Sequence, residues 1–257
     1  MLRCLRFIAS VFVLGALSLS CSSAFAATED NVMTERDVNV SLYDVVKRDS
    51  AITLDGKLDE KIWESIPMIS GGFHFPWETK EAPLTIFKAY SDGTNFYFSF
   101  NVTDEKVVVQ EEWKEDESTV DMEDRVELFF AGSNIDRPGP EGMELYYAIE
   151  VDPKGRVHDY SIKYYRDFDS KWKLDGLETK AEITDKGYTV EGKIPLQSFA
   201  DLGILRNQTM RTGVFRAEFS PSDKEEPLME WISWVNPDRP APDFHVDGAF
   251  GEFRFLE

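Results

Sequence analysis

The chain of 257 residues has only two cysteines, Cys4 and Cys21, both within its first 21 positions. Nothing beyond that opening can be cross-linked by disulfides, so stability has to come from a buried core. Histidine is almost as rare. His74, His158 and His245 stand isolated and no His-Glu-x-x-His occurs, which argues against a zinc centre. Gly-x-Ser-x-Gly and phosphate-binding glycine loops are also missing. Basic residues are outnumbered, 28 Lys+Arg against 48 Asp+Glu, for a formal net charge of −20. Nucleic acid and anionic lipid are poor partners for such a chain, because both are held by clustered Lys and Arg. Beyond residue 26 no apolar run approaches the roughly 18 residues that suggest a membrane-spanning helix.

The one long apolar run, Phe7 to Leu19, follows Arg3 and Arg6 and precedes Ala24-Phe25-Ala26. That is the layout of a secretory leader, and it predicts cleavage after Ala26, loss of both cysteines, and a secreted or periplasmic destination. A competing reading anchors the chain by lipid at Cys21, which follows Ser20, although Ser18 stands where a leucine is expected. Residues 27–49 then form an N-terminal segment able to add an edge strand, and 50–257 form the main domain. The acidic balance has a plain explanation in solubility outside the cell, and an alternative one in cation binding.

Aromatics make up 13% of the chain and fall into short runs separated by Gly, Asn, Asp and Pro, the texture of many strands. Phe96, Phe98, Phe100 and Val102 alternate with Tyr97, Ser99 and Asn101, a period of two that buries one strand face. Further strands are predicted at 84–90, 125–131, 143–152, 156–163, 177–183, 188–194, 213–220, 229–234 and 251–256. Asp92-Gly93-Thr94-Asn95 and Pro153-Lys154-Gly155 supply turns. Helix is confined to two short candidates, 59–66 and 196–202. The fold class is therefore all-β, an antiparallel, jelly-roll-like β-sandwich with one or two short helical turns. Trp63 and Trp234 are assigned to its core. Tyr146, Tyr147, Tyr160, Tyr164 and Tyr165 lie on adjacent strands, and alternation turns about half of them outward.

Five segments occur in a recognisable order: Ile52-Thr53-Leu54-Asp55-Gly56-Lys57-Leu58-Asp59-Glu60 with Trp63; Asp92 to Phe98; Asp124-Arg125-Val126-Glu127-Leu128-Phe129; Gly187-Tyr188-Thr189-Val190-Glu191 with Ile194-Pro195; and Ile232-Ser233-Trp234 with Pro237, closing on Phe250-Gly251. In this the chain resembles the family 9 carbohydrate-binding modules over residues 50–257. The resemblance implies a sandwich with bound calcium and a sugar site in which two aromatic rings flank a sugar whose hydroxyls are fixed by polar side chains. Such a site suits a pyranose, which presents apolar faces and a rim of hydroxyls.

Carried over by position, Glu127 is the acid that accepts hydrogen bonds from sugar hydroxyls, and Phe244, six residues before the closing Phe-Gly, is one ring of the pair. The other ring position is held by Asp121, which leaves the clamp short of an aromatic. Trp113 and Trp77, in nearby irregular segments, are candidates to supply it. The arginine of the family's neighbouring strand is replaced by Glu150, so the ligand preference is expected to differ from that of reducing-end glucan binders.

Calcium takes six to eight oxygens, and the resemblance makes Asp104, Asp121 and Asp124 candidate ligands. Solvated acidic loops account for the same residues without a metal. No opposed carboxylate pair is singled out for glycoside hydrolysis, and the chain is read as a non-enzyme whose partner is a carbohydrate. A rival reading makes it a haem b electron-transfer domain with Met122 and His245 as axial ligands.

Overall fold

In a computed structural model the residues described are 41–132, 143–222 and 227–257. The expected leader, both cysteines and the first part of the N-terminal segment lie outside them. Among the described residues thirteen strands are formed: β1 Leu42–Lys47, β2 Met68–Ile69, β3 Thr85–Ser91, β4 Asn95–Thr103, β5 Arg125–Ala131, β6 Leu145–Val151, β7 Val157–Lys163, β8 Asp167–Asp169, β9 Glu178–Thr184, β10 Gly187–Pro195, β11 Thr209–Ser220, β12 Leu228–Ser233 and β13 Gly251–Phe255. The α-helix α1, Leu196–Asp201, and 3-10 turns at Lys61–Ser65, Ser118–Met122 and Asp247–Ala249 complete the described elements.

The strands run in the order β8-β7-β6-β5-β11-β13-β1-β3-β4-β10-β9, with β12 beside β11 and β2 beside β3. The fold is all-β as predicted, but the pairing is mixed and not purely antiparallel. Leu42 to Val45 pair in parallel with β13, and Val46 and Lys47 pair in parallel with β3. The segment expected to form an edge strand is therefore the interior seam that joins the two layers. Its Tyr43 hydroxyl donates to the carbonyl of Pro67 at 2.8 Å and accepts from the N–H of Ala89 at 2.6 Å, and so ties the seam to the second layer.

Between the layers lies one apolar core, which takes alternate residues of each strand. Phe96, Phe98, Phe100 and Val102 from β4 meet Val126, Leu128 and Phe130 from β5, Tyr147, Ile149 and Val151 from β6, and Phe253 from β13. Gly192 of β10 is required here, since a Cβ at that position would lie 2.0 Å from the Phe98 ring.

Each layer also has a covered outer face. On the β3-β4-β10 side, Trp63 and Ile66 pack on Tyr90 and Tyr97. The buried Glu191 carboxylate accepts from the backbone N–H groups of Asp55 and Gly56 and from Trp63 Nε1. Trp63 is thus a core residue, as predicted, and Trp234 packs partly buried against the main core. On the β5-β6-β7-β11 side a second cluster forms from Phe129, Tyr146, Ala148, Tyr160 and Phe215. The 244–250 segment covers it, with Trp77 and Trp231 alongside.

Of the five tyrosines, Tyr146, Tyr147 and Tyr160 are buried, and Tyr164 and Tyr165 are exposed. Alternation does divide 146 from 147, but both sheet faces are covered, so neither ring reaches solvent. No helix among the described residues is long and apolar enough to cross a membrane.

Candidate functional site

Strand register assembles the site. Val126, Leu128 and Phe130 of β5 face the core, so Arg125, Glu127 and Phe129 face the opposite way. Glu127 pairs across to Phe215 of β11 on one side and Glu150 of β6 on the other, and Glu150 pairs with His158 of β7. One row of one face thus reads Phe215, Glu127, Glu150, His158. The next row brings Phe129, Ala148 and Tyr160 together.

Above these rows is a cavity of about 490 Å³. Its floor is polar: Glu127, Arg125, Glu150 and His158. Its walls are aromatic: Trp77, Tyr160, Phe168, Trp231 and Phe244. Asp121, Arg166, Asp243 and His245 also line it.

Arg125 Nε lies 2.8 Å from Glu127 Oε1 and 3.0 Å from Glu150 Oε2. Its Nη1 donates to the carbonyl of Val120, and the guanidinium lies 5.3 Å from the Trp231 ring centre. Two buried carboxylates therefore share one guanidinium. Burial and the neighbouring Glu150 charge push the Glu127 carboxyl up, and Arg125 offsets this only in part. Burial opposes ionisation of Glu150 too. There the Arg125 charge, with the His158 ring at 3.7 Å and the hydrogen bond from Tyr160, outweighs it and holds the carboxyl low. Tyr160 donates to Glu150 Oε1 at 2.7 Å. His245, enclosed by Phe129 and Phe168 and hydrogen-bonded to Tyr146, is held down to about 4 by burial and by Arg166, and is neutral at ordinary pH.

The structure brings four of the predicted carbohydrate-site residues to this cavity: Glu127, Phe244, Trp77 and Asp121. Trp77 donates from Nε1 to the carbonyl of Arg239, which docks its loop onto the 237–243 segment, and its ring lies 5.4 Å from that of Phe244. Phe244 is only 6% exposed, because its ring stacks on Phe215 at 4.1 Å and meets Trp231 edge-on. Trp113 is placed elsewhere. It packs against Arg156, whose guanidinium is held by Asp152 and Glu123.

Sequence reasoning missed Arg125, His158, Phe168 and Trp231 as cavity residues. The signal available was the outward phase of β5, β6 and β7, which places 125, 127, 150, 158 and 160 on one face once the strands are paired. Met122 is 39% exposed and does not line the cavity, so the proposed haem pair with His245 is not brought together there.

A second group of acids lies where β4 ends beside β11. Oxygens of Asp104, Asp124 and Glu218 lie within 4.8 Å of one another, all buried. Glu218 was not predicted, and Asp121 lies apart from the group, at the cavity. Asp124 accepts from the N–H groups of Val108 and Phe219, at 2.5 and 2.6 Å. Arg216, fully buried, bonds Glu218 and lies 3.7 Å from Asp104 Oδ2, which accepts no hydrogen bond. Burial, with the neighbouring acids, raises Asp124 to about 8 and Glu218 to about 7. The donor set fits a hard divalent cation: all oxygen, buried, with three carboxylates against one guanidinium and an oxygen left without a donor.

The comparisons agree with this architecture. Among solved structures, a Bacteroides uniformis protein proposed to bind carbohydrate has 15% identity and a TM-score of 0.60, over 84% of this chain and all of its own. A family 9 carbohydrate-binding module of Caldicellulosiruptor kristjanssonii, solved with cellotriose, has 18% identity and a TM-score of 0.55 over 84% of this chain and 93% of that one. The same organism's module solved with glucose gives 18% and 0.54, over 84% and 96%. No curated protein matches the chain. The model of the family described as carbohydrate family 9 binding domain-like matches residues 54–255, which run from the Asp-Gly loop held by Glu191 to the last strand of the sandwich. With nearly the whole described fold inside that match, the chain belongs to the carbohydrate family 9 binding domain-like family.

Proposed function

We propose that this protein is a non-catalytic carbohydrate-binding domain whose ligand occupies the cavity on the outer face of β5, β6 and β7. The observation that carries the reading is the pairing of aromatic walls with a buried, hydrogen-bonding floor. Trp77, Trp231 and Phe168 offer apolar surface for a sugar's C–H faces, and Glu127, with a single hydrogen bond from Arg125 among the described residues, can accept from hydroxyls. The family match and the sugar complexes of the Caldicellulosiruptor modules support it. The leader pattern adds export, with cleavage after Ala26 and action outside the cytoplasm, in support of carbohydrate catabolism.

The same proposal includes a structural calcium held by Asp104, Asp124 and Glu218. A cation there would neutralise three buried acids that Arg216 only partly balances, and would fix the end of β4 to β11. It has no role at the cavity.

The test is a panel of soluble and insoluble glycans, measured by calorimetry and affinity gels, together with an assay for released reducing sugar. Binding of at least one glycan with no release is expected. Binding should weaken in Trp77→Ala and Glu127→Ala while their melting curves remain cooperative. Sugar release that co-purifies with the protein would overturn the non-catalytic reading.

A further inference from the structure

The charges around the cavity are unequal. Among the described residues four carboxylates line it, Asp121, Glu127, Glu150 and Asp243, against two guanidiniums, Arg125 and Arg166. Both cations are already engaged. Arg125 is shared by Glu127 and Glu150, and Arg166 pairs with Asp243 at 3.2 Å. Asp121 has no ion-pair partner among the described residues and sits exposed at the rim. Among the described residues no lysine lines the cavity. Glu150 is 6% exposed, and its Oε2, with Arg125 Nε at 3.0 Å and His158 Nδ1 at 3.7 Å, accepts no well-directed hydrogen bond. The floor therefore holds one more acid than it has positive partners, and the rim holds another.

A ligand meets three kinds of response here. A carboxylate or sulfate on a sugar would face like charge, with each guanidinium already taken. A neutral hydroxyl can hydrogen-bond but leaves the surplus charge where it is. An ammonium group supplies what is missing: it donates to Glu127 or Asp121, relieves the repulsion between Glu127 and Glu150, and sits among aromatic faces that attract a cation.

We propose that the cavity selects sugars carrying a free amine, of the glucosamine type, over neutral and acidic sugars. The inference rests on the carbohydrate-binding reading above and names the chemical class of its ligand.

The experiment compares four short oligosaccharides of equal length on the full chain at fixed pH and salt. They are one of glucosamine, its N-acetylated form, one of glucose and one of a uronic acid. The amine is expected to bind about tenfold more tightly than the neutral sugars, the gain of a charge-assisted over a neutral hydrogen bond. Glu127→Gln keeps the shape of the floor and leaves Arg125 paired with Glu150, and Asp121→Asn changes only the rim. Both should reduce that preference with cooperative melting retained, and acetylation of the amine should abolish it.

Equal or tighter binding of a neutral sugar overturns the inference and leaves the carbohydrate-binding reading standing, as does tightest binding of the uronic acid. An amine preference unchanged in both variants also overturns it, since attraction by the acidic chain as a whole then explains the result. Binding of none of the four, with none on the wider panel, fails the carbohydrate reading and the inference together.

Discussion

Raising the pH of metal-free protein from about 5 to about 8 should weaken the fold, and calcium should restore what is lost. The perturbation acts on Asp124 and Glu218, buried beside Asp104 with only Arg216 as counter-charge. Asp124 moves from an ordinary 3.8 to about 8, and the step from about pH 5 to about pH 8 spans roughly 3 pH units of that range, or roughly 4 kcal/mol at about 1.4 kcal/mol per pH unit, an upper bound because Asp124 and Glu218 titrate together. The sign follows from proton counting. Folded carboxyls with raised pKa values hold protons that the unfolded chain has already released, so the stabilisation is complete below about pH 4 and is lost as pH rises through about 8. Calcium competes with those protons, so it binds well at pH 8 and poorly at pH 5. Thermal melts in chelator and in calcium at the two pH values measure both effects. Other raised acids, Glu191 among them at about 7, add to the pH slope but lie outside the proposed cation site, so the calcium-dependent difference isolates the Asp124 group. Asp124→Asn should flatten part of the slope and abolish the calcium response. A calcium shift as large at pH 5 as at pH 8, or a chelated protein whose melting temperature ignores pH, would refute the reasoning.

Glu127→Ala should lower glycan affinity roughly ten- to a hundredfold by removing an acceptor at the cavity floor, read by calorimetry. Phe244→Ala should cost about 3–5 kcal/mol of stability by denaturant midpoint, because its ring is stacked on Phe215 inside the outer cluster. Gly192→Ala should destabilise by about 1–3 kcal/mol through its clash with Phe98, with ligand affinity of the folded fraction unchanged. N-terminal sequencing of exported protein should begin at Ala27; a lipid-modified Cys21 as first residue is the contrary result.

Strand β5 shows how far local pattern reaches. Arg125–Ala131 is formed with the bounds expected from the sequence, and Val126, Leu128 and Phe130 alternate along it toward the core. β1 was anticipated only as an edge. Its Tyr43 and Val45 alternate correctly, but parallel pairing with strands 44 and 210 residues away (Val46 with Tyr90, Leu42 with Glu252) has no local turn to announce it. The same division applies to the site. Glu127 was accessible from its motif, but two tryptophans in irregular segments, Trp77 and Trp113, could not be ranked. Only the fold puts Trp77 beside Phe244 and Trp113 under Arg156.

By itself, then, the sequence determined what depends on neighbours along the chain. Two-residue alternation set the strands and the faces they bury, turn residues set most of their ends, and scarcity of cysteine made a packed core obligatory. The tertiary structure decided what depends on register between distant strands. It placed Glu127, Glu150 and His158 in one row, set two acids on one arginine, and gathered Asp104, Asp124 and Glu218 from three segments. The physical reason is that a side chain's face is fixed by its own backbone, whereas its partners are fixed by which strands pair and with what offset. A shift of one residue in that offset would exchange the cavity floor for the core.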